Sequence, residues 1–123
     1  MRLKRNRLKQ YYLRPAAAKK DTEGNSYIEY GEAKPVTAEI WPAGGKLQAE
    51  MYGQRLSYIR NCRIAGSYTI ETDEKGRVSY LLGEQTYCEG DGFCVYVSGE
   101  SDPDYKIIVI RPYSHLYMEL EKL

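Results

Sequence analysis

The residue types that most often carry catalysis are scarce in this chain of 123 residues. It has one histidine, His115, and no Gly-x-Ser-x-Gly sequence, so a serine–histidine–acid triad would have one base and no nucleophile motif. Gly44-Gly45-Lys46 is similar in composition to a phosphate-binding loop. The first glycine of that motif is missing, however, and Leu47 replaces its Ser or Thr. We expect neither a hydrolase nor a nucleotide site.

Metal and acid–base sites are also not indicated. The three cysteines, Cys62, Cys88 and Cys94, form no Cys-x-x-Cys pair, so we expect reduced, partly buried thiols and no zinc. Adjacent carboxylates such as Asp73/Glu74 and Asp102/Asp104 fall in sequences typical of solvated turns. The sequence therefore predicts a protein that is not an enzyme and that uses no cofactor.

Charge is distributed unevenly along the chain. The formal net charge is +1, from 18 Lys and Arg against 17 Asp and Glu, but residues 1–20 hold eight of the basic residues and no acid. A basic front therefore joins an acidic body. Residues 1–9 form a basic arm with two interpretations. It contacts phosphates with salt-sensitive affinity, or it is a solvated terminus that aids solubility or complements the acidic body of a neighbouring copy. Its basic residues are Arg2, Lys4, Arg5, Arg7 and Lys9.

Targeting and membrane signals are not indicated either. No stretch approaches the roughly 18 to 20 apolar residues of a membrane-spanning helix. The basic start is followed by no apolar signal-peptide core, because residues 13–20 are short and charged. We expect a protein made in the cytoplasm that has no membrane partner.

Composition and alternation favour an all-β fold. The chain has 13 tyrosines against one Phe and one Trp, and tyrosine is favoured on strands. Residues 116–121 alternate between apolar and polar, which predicts a terminal strand. Residues 93–97 and 107–110 are apolar on both faces, as in central strands. Turn sequences join these strands into a meander, at 73–76, 89–92, 99–103 and 111–114.

The first half of the chain is less regular. We expect strands over 8–13, 27–30 and 36–41, a polar connection over Pro15–Asn25, and a strand that resumes over Leu56–Ile59. Good helix formers within 46–53 allow one helical turn there. The expected fold is a small single-domain β-barrel or sandwich over 1–123. Two segments extend from it: the arm (1–9) and a long projecting loop (42–55).

The order of these elements resembles the small head-tail joining proteins of long-tailed bacteriophages, also called stopper or head completion proteins. The resemblance rests on an opening basic strand, a glycine-containing turn leading to a strand, a strand that enters a long glycine-containing loop, a returning strand and two closing strands. These segments are 7–13, 24–28, 36–42, 44–53, 55–59, 104–110 and 116–120. Residues 61–92 depart from the pattern. This region is longer and more acidic than we expect for simple members of the family, and it adds a hairpin over 68–82.

This resemblance implies a structural protein of the virion neck, made in the cytoplasm of the bacterial host. Copies would form a ring on the portal or adaptor ring, close the DNA exit channel after packaging, and present a docking surface to tail proteins. The basic arm would contact packaged double-stranded DNA or the neighbouring copy. The channel-closing loop would comprise Gly44, Gly45, Lys46, Gln48, Met51, Tyr52 and Gly53.

Two other functions fit the residues. One is a tail completion or tail terminator protein of the same particle, which shares the small size and the all-β character. The other is a small-barrel nucleic-acid-binding module that uses the basic arm and surface tyrosines. A long basic stripe across the strands would favour the second, but the body of this chain is net acidic.

Overall fold

A computed structural model describes residues 7–123, most of which lie in strands. The elements follow the sequence-based order closely. The helical elements are α1 (Lys46–Tyr52) and a 3₁₀ helix (Gly53–Tyr58). The strands are β1 (Lys9–Arg14), β2 (Ala16–Lys20), β3 (Ser26–Tyr30), β4 (Lys34–Pro42), β5 (Ile59–Ile64), β6 (Thr69–Thr72), β7 (Val78–Leu82), β8 (Gln85–Tyr87), β9 (Gly92–Cys94), β10 (Tyr105–Pro112) and β11 (Leu116–Lys122).

Six strands close into a barrel in the order β1-β4-β5-β11-β10-β9. All neighbours are antiparallel, including the closing pair of β1 and β9, in which Leu13 lies opposite Phe93. The barrel thus consists of two three-stranded meanders, joined where β5 pairs with β11 and where β1 pairs with β9. The prediction of a small single-domain all-β protein is confirmed, and the barrel is the form it takes.

The barrel interior explains the alternation in the sequence. Leu116, Met118 and Leu120 of β11 are fully buried, whereas Tyr117 and Glu121 face outward. Removing these apolar side chains from water stabilises the closed barrel, because each Å² of buried apolar surface contributes about 25 cal/mol to the free energy of folding. The core continues around the barrel through Leu13, Val36, Ala38, Cys62, Ile64, Phe93, Tyr105, Ile107 and Ile110.

Two insertions extend the barrel. Hairpin β2–β3 lies between β1 and β4, and the sheet β6-β7-β8 lies between β5 and β9. The predicted polar connection over Pro15–Asn25 is therefore wrong: the chain stays extended past Pro15, and Ala16–Lys20 pairs with Ser26–Tyr30. The predicted hairpin over 68–82 is confirmed as β6–β7, and β8 adds a third strand to it.

One central strand is shorter than predicted. β9 ends at Cys94, although residues 93–97 read as a continuous apolar run. The carboxylate of Asp104 accepts hydrogen bonds from the backbone N–H groups of Val95 (2.8 Å) and Tyr96 (3.0 Å), which satisfies these donors without a neighbouring strand. Tyr96 is consequently 71% exposed and outside the core.

Candidate functional site

The connection between β4 and β5 is a helical excursion, defined here as residues 43–58. Gly45 and Gly53 bound α1 with φ values of +87° and +55°, which glycine adopts readily. The 3₁₀ helix continues to Tyr58. The prediction of a strand over Leu56–Ile59 is therefore wrong, except at its last residue, Ile59, where β5 begins. The helical turn expected within 46–53 is confirmed.

Gln48 fixes the inner side of α1 to the barrel wall. Its amide Nε2 donates to Asn61 Oδ1 (2.6 Å) on β5 and to Glu119 Oε2 (3.2 Å) on β11. Its Oε1 accepts from Asn61 Nδ2 (3.2 Å) and from the Gly44 N–H (3.0 Å). One side chain therefore joins the start of the excursion to two neighbouring strands.

Glu119 is the centre of the polar network beneath the excursion. It is only 2% exposed, although it points out of the barrel, because the excursion covers it. The hydroxyl of Tyr52 donates to Oε1, the hydroxyl of Tyr117 lies 3.2 Å from Oε2, and Arg111 Nη2 lies 3.6 Å from Oε1. Burial, together with the nearby Glu119 carboxylate, raises the pKa of both tyrosines well above 10.0.

Arg55 holds the far end of the excursion. Its Nε and Nη2 donate to the two carboxylate oxygens of Glu121 at 2.7 and 2.8 Å, in the two-pronged arrangement that suits guanidinium and carboxylate groups. The guanidinium also lies 5.6 Å from the centroid of the Tyr52 ring. Hydrogen bonds from Arg55 lower the pKa of Glu121 below its ordinary 4.5.

Two apolar side chains of the same helix are exposed. Leu47 is 70% exposed and Met51 is 47% exposed, and no residue of α1 is buried. Four residues apart on a helix, the two side chains lie on one face. The seven residues predicted for a channel-closing loop thus divide: Gln48 and Tyr52 bind the barrel wall, the three glycines shape the bends, and Lys46 and Met51 remain on the surface.

Basic residues of the arm line a groove of about 610 Å³ beside the excursion. Arg7 Nη1 lies 3.5 Å from Glu39 Oε1, and the Arg63 guanidinium lies 5.2 Å from the Trp41 ring centroid. This basic groove comprises Arg7, Lys9, Tyr11, Glu39, Ile40, Trp41 and Arg63. The predicted arm residues Arg2, Lys4 and Arg5 lie outside the described residues.

The basic groove and the excursion are neighbours. The ring of Trp41 lies 6.4 Å, between centroids, from the ring of Tyr117, whose hydroxyl donates to Asn61 Oδ1 (2.8 Å) beneath α1. Tyr117 also stacks on Tyr113 at 5.7 Å. Cations, aromatic rings and the helical excursion therefore share one end of the β4–β5 pair.

The cysteines and the histidine considered for catalysis lie in the barrel core, on its edge or in a turn. Cys62 and Cys94 are buried and Cys88 is half-buried, and burial raises the pKa of Cys62. His115 lies in the short turn between β10 and β11. Across residues 7–123, His, Cys, Asp and Glu do not gather into a group that could hold a metal ion. In the same range, no helix has the length and apolarity to span a membrane.

Among the strand residues that contact the excursion, sequence reasoning missed Asn61, Tyr117 and Glu119. Each occupies an outward position of a strand, where a polar residue normally faces water. The signal that could have found them is the long connection after Pro42, which has to lie against some part of the barrel.

The chain is a small protein built on a closed six-stranded β-barrel. No protein-family model, curated protein or solved structure matches it.

Proposed function

We propose that this chain is a structural protein of the bacteriophage neck, which joins the portal or adaptor ring to the tail and closes the DNA exit channel after packaging. The observation that carries the proposal is the helical excursion, whose inner side binds the barrel wall while Leu47 and Met51 face outward. Exposed apolar side chains on one helix face favour a protein partner, because covering them releases water from apolar surface. A fixed barrel with such a face suits a component of an assembled channel.

The role we propose is structural rather than enzymatic. The buried carboxylate of Glu119, a group that could serve acid–base chemistry, accepts hydrogen bonds from Tyr52 and Gln48 and thereby positions the excursion. The partners are further copies in a ring, the portal or adaptor proteins on one side and tail proteins on the other. The basic arm, whose described cations are Arg7 and Lys9, contacts either packaged double-stranded DNA or the neighbouring copy.

The test of this function is deletion of the gene in its own source, followed by induction of particles and electron microscopy. Heads that package DNA but leak it, together with free tails of normal length, are the expected result. Abnormal tail length would instead assign the protein to tail completion. Intact infectious particles would refute a role in the neck.

Complementation then tests the excursion itself. Leu47→Asp combined with Met51→Asp keeps Gln48 and Tyr52 on the barrel wall, so the protein folds but loses the apolar face. We expect DNA-filled heads to leak with this variant, as with a variant that lacks residues 44–52. Glu50→Ala, at an exposed position of the same helix, is the matched control and should restore normal particles. Retention of DNA by the first two variants would remove the excursion from the mechanism.

The basic groove supports a second candidate function, a nucleic-acid-binding module. Arg7, Lys9 and Arg63 supply three cations there, and Trp41 supplies a ring on which a base can stack. Fluorescence anisotropy with single- and double-stranded oligonucleotides over a salt series separates this candidate from the first. Steeply salt-dependent binding that is lost on removing residues 1–9 and on Arg63→Glu would favour it.

A further inference from the structure

Hairpin β2–β3 presents an apolar face that the rest of the described chain covers only at the base of the hairpin, at Ala16 and Tyr30. Ala18 pairs with Ile28 and Ala16 pairs with Tyr30, so these four side chains lie on one face of the hairpin. Ala18 is exposed and Ile28 is 55% exposed. An isolated two-stranded hairpin is only marginally stable in water, so a hairpin of this kind gains stability when a third element covers it.

The base of the hairpin is nevertheless held firmly. Arg14 donates to the carbonyl oxygens of Gly31 (2.8 Å), Ser101 (2.7 Å) and Tyr30 (3.2 Å). The buried carboxylate of Asp91 accepts from the N–H of Ala16 at 3.0 Å. The barrel therefore fixes the direction in which the exposed part of the hairpin projects, which lowers the entropy lost when a partner binds.

The hairpin and the basic groove lie at opposite ends of the same strand pair. Residue Lys9 pairs with Ala38 at the groove end of β1–β4, and Leu13 pairs with Lys34 at the hairpin end. One copy can therefore place its hairpin in the groove of the next. A contact between two different surfaces is heterologous, and when repeated it builds a ring or a filament.

The two surfaces are complementary in polarity and in charge. Tyr11, Ile40 and Trp41 are the half-buried apolar residues of the groove, and Ala18 and Ile28 can pack against them. The hairpin carries Asp21 and Glu23 at its turn, next to Lys20 and to an ion pair between Lys19 and Glu29 (3.2 Å), so its charges sum to −1. The groove has three cations against the single acid Glu39. Opposite charges at the rim favour this pairing over contact between two hairpins or two grooves.

We propose that hairpin β2–β3 of one copy docks in the basic groove of a neighbouring copy. This inference rests on the proposed function, and names the contact that would link successive copies around the neck. The occupant of the groove is a protein surface, with apolar contacts from Ala18 and Ile28 and ionic contacts from the acidic turn. Nucleic acid in the same groove is the competing outcome.

Cross-linking of full-length chains tests the contact. One variant carries Ile28→Cys; a second carries Gln10→Cys, an exposed position between the groove residues Lys9 and Tyr11. Both also carry Cys88→Ser, which removes the half-buried thiol. The two variants are mixed, joined with a short bismaleimide, and analysed by mass. The matched control replaces Ile28→Cys with Ile70→Cys, whose parent side chain is exposed on a different sheet.

We expect the mixed dimer of the Ile28→Cys and Gln10→Cys chains to exceed either self-linked dimer several-fold. Arg63→Glu in the Gln10→Cys chain, or high salt, should reduce it to the level of the Ile70→Cys control, since both weaken the charge pairing. A yield equal to that control from the start overturns the proposal. Loss of the mixed dimer on adding a double-stranded oligonucleotide that binds the groove would assign the groove to nucleic acid instead.

The particle assay keeps this inference separate from the proposed function. If gene deletion releases DNA from filled heads but the cross-link shows no preference, the neck function stands and the hairpin contact is wrong. If the cross-link is specific but deletion leaves particles intact, the contact stands and the neck function is wrong. In the particle assay, filled heads that carry Ile28→Asp should leak DNA only if both the neck function and the hairpin contact are correct.

Discussion

The hydroxyl of Tyr52, on the helical excursion, donates a hydrogen bond to the buried carboxylate of Glu119, 67 residues further along the chain. This contact explains how a glutamate on the outer face of a barrel strand comes to be only 2% exposed. It also explains why a short helix without buried residues keeps a defined position. The excursion is held by polar side chains, and Leu47 and Met51 remain exposed.

Replacing Tyr52 with Phe should destabilise the docked excursion. The substitution removes one hydrogen bond and leaves Glu119 Oε1 with Arg111, 3.6 Å away. Leaving a buried acceptor poorly satisfied costs about 1 to 3 kcal/mol. Urea unfolding should report this loss, and amide exchange over residues 46–58 should quicken. Tyr58→Phe, at an exposed position, is the control and should change neither measurement; an unchanged exchange rate in Tyr52→Phe would contradict the assigned role.

High pH should weaken the fold through the same network. Burial raises the pKa of Tyr52 and Tyr117 above the ordinary 10.0 that they regain on unfolding. Their contribution to stability is therefore complete below pH 10.0 and is lost as the pH rises toward the folded values. The free energy of unfolding, measured on both sides of pH 10.0, should fall on the alkaline side. The fall should be smaller when both tyrosines are replaced by Phe; an identical slope would show that these phenols do not contribute.

Acid should act at the other end of the excursion. Arg55 lowers the pKa of Glu121 below 4.5, so the pair stabilises the protein above that pH and the contribution is lost as the pH falls through the lower folded value. Glu121→Gln should reduce stability at neutral pH, and the difference from the unmodified protein should shrink below pH 4.5. Because Arg55 is exposed to solvent, we expect a smaller effect than for Tyr52→Phe. Glu100→Gln, at an exposed loop position, should show no such pH dependence.

The barrel strands were predictable because their side chains alternate between the buried interior and the outer surface. Leu116, Met118 and Leu120 alternate with outward residues, and the interior of the barrel is what that alternation requires. Strand β2 gave no such signal, because Ala16–Lys20 contains neither β-branched nor aromatic residues. Its strand conformation comes from pairing with β3 and from the contact of the Ala16 N–H with Asp91.

The polar network could not be read from the sequence for a different reason. Asn61 and Glu119 each look like ordinary solvent-facing strand residues, and only the pairing of β5 with β11 places them opposite each other. Gln48 then reaches both from a segment that the sequence presents as a glycine-flanked loop. Contacts that form only when the barrel closes leave no pattern in the local sequence.

Gly92 provides the sharpest test of packing at the base of the hairpin. A Cβ added there would lie 2.5 Å from Pro103 Cγ and 2.9 Å from Tyr30 Cδ1, closer than real Cβ contacts allow. Gly92→Ala should therefore displace Pro103 or Tyr30 and lower stability by about 1 to 3 kcal/mol, the usual cost of overpacking. The control is Gly44→Ala, where an added Cβ meets nothing within 4 Å, and it should leave stability close to that of the unmodified protein. Thermal unfolding of the two variants side by side measures the difference. Equal stability would mean that Tyr30 and Pro103 do not pack on Gly92 in solution, and that the hairpin base is looser than its hydrogen bonds indicate.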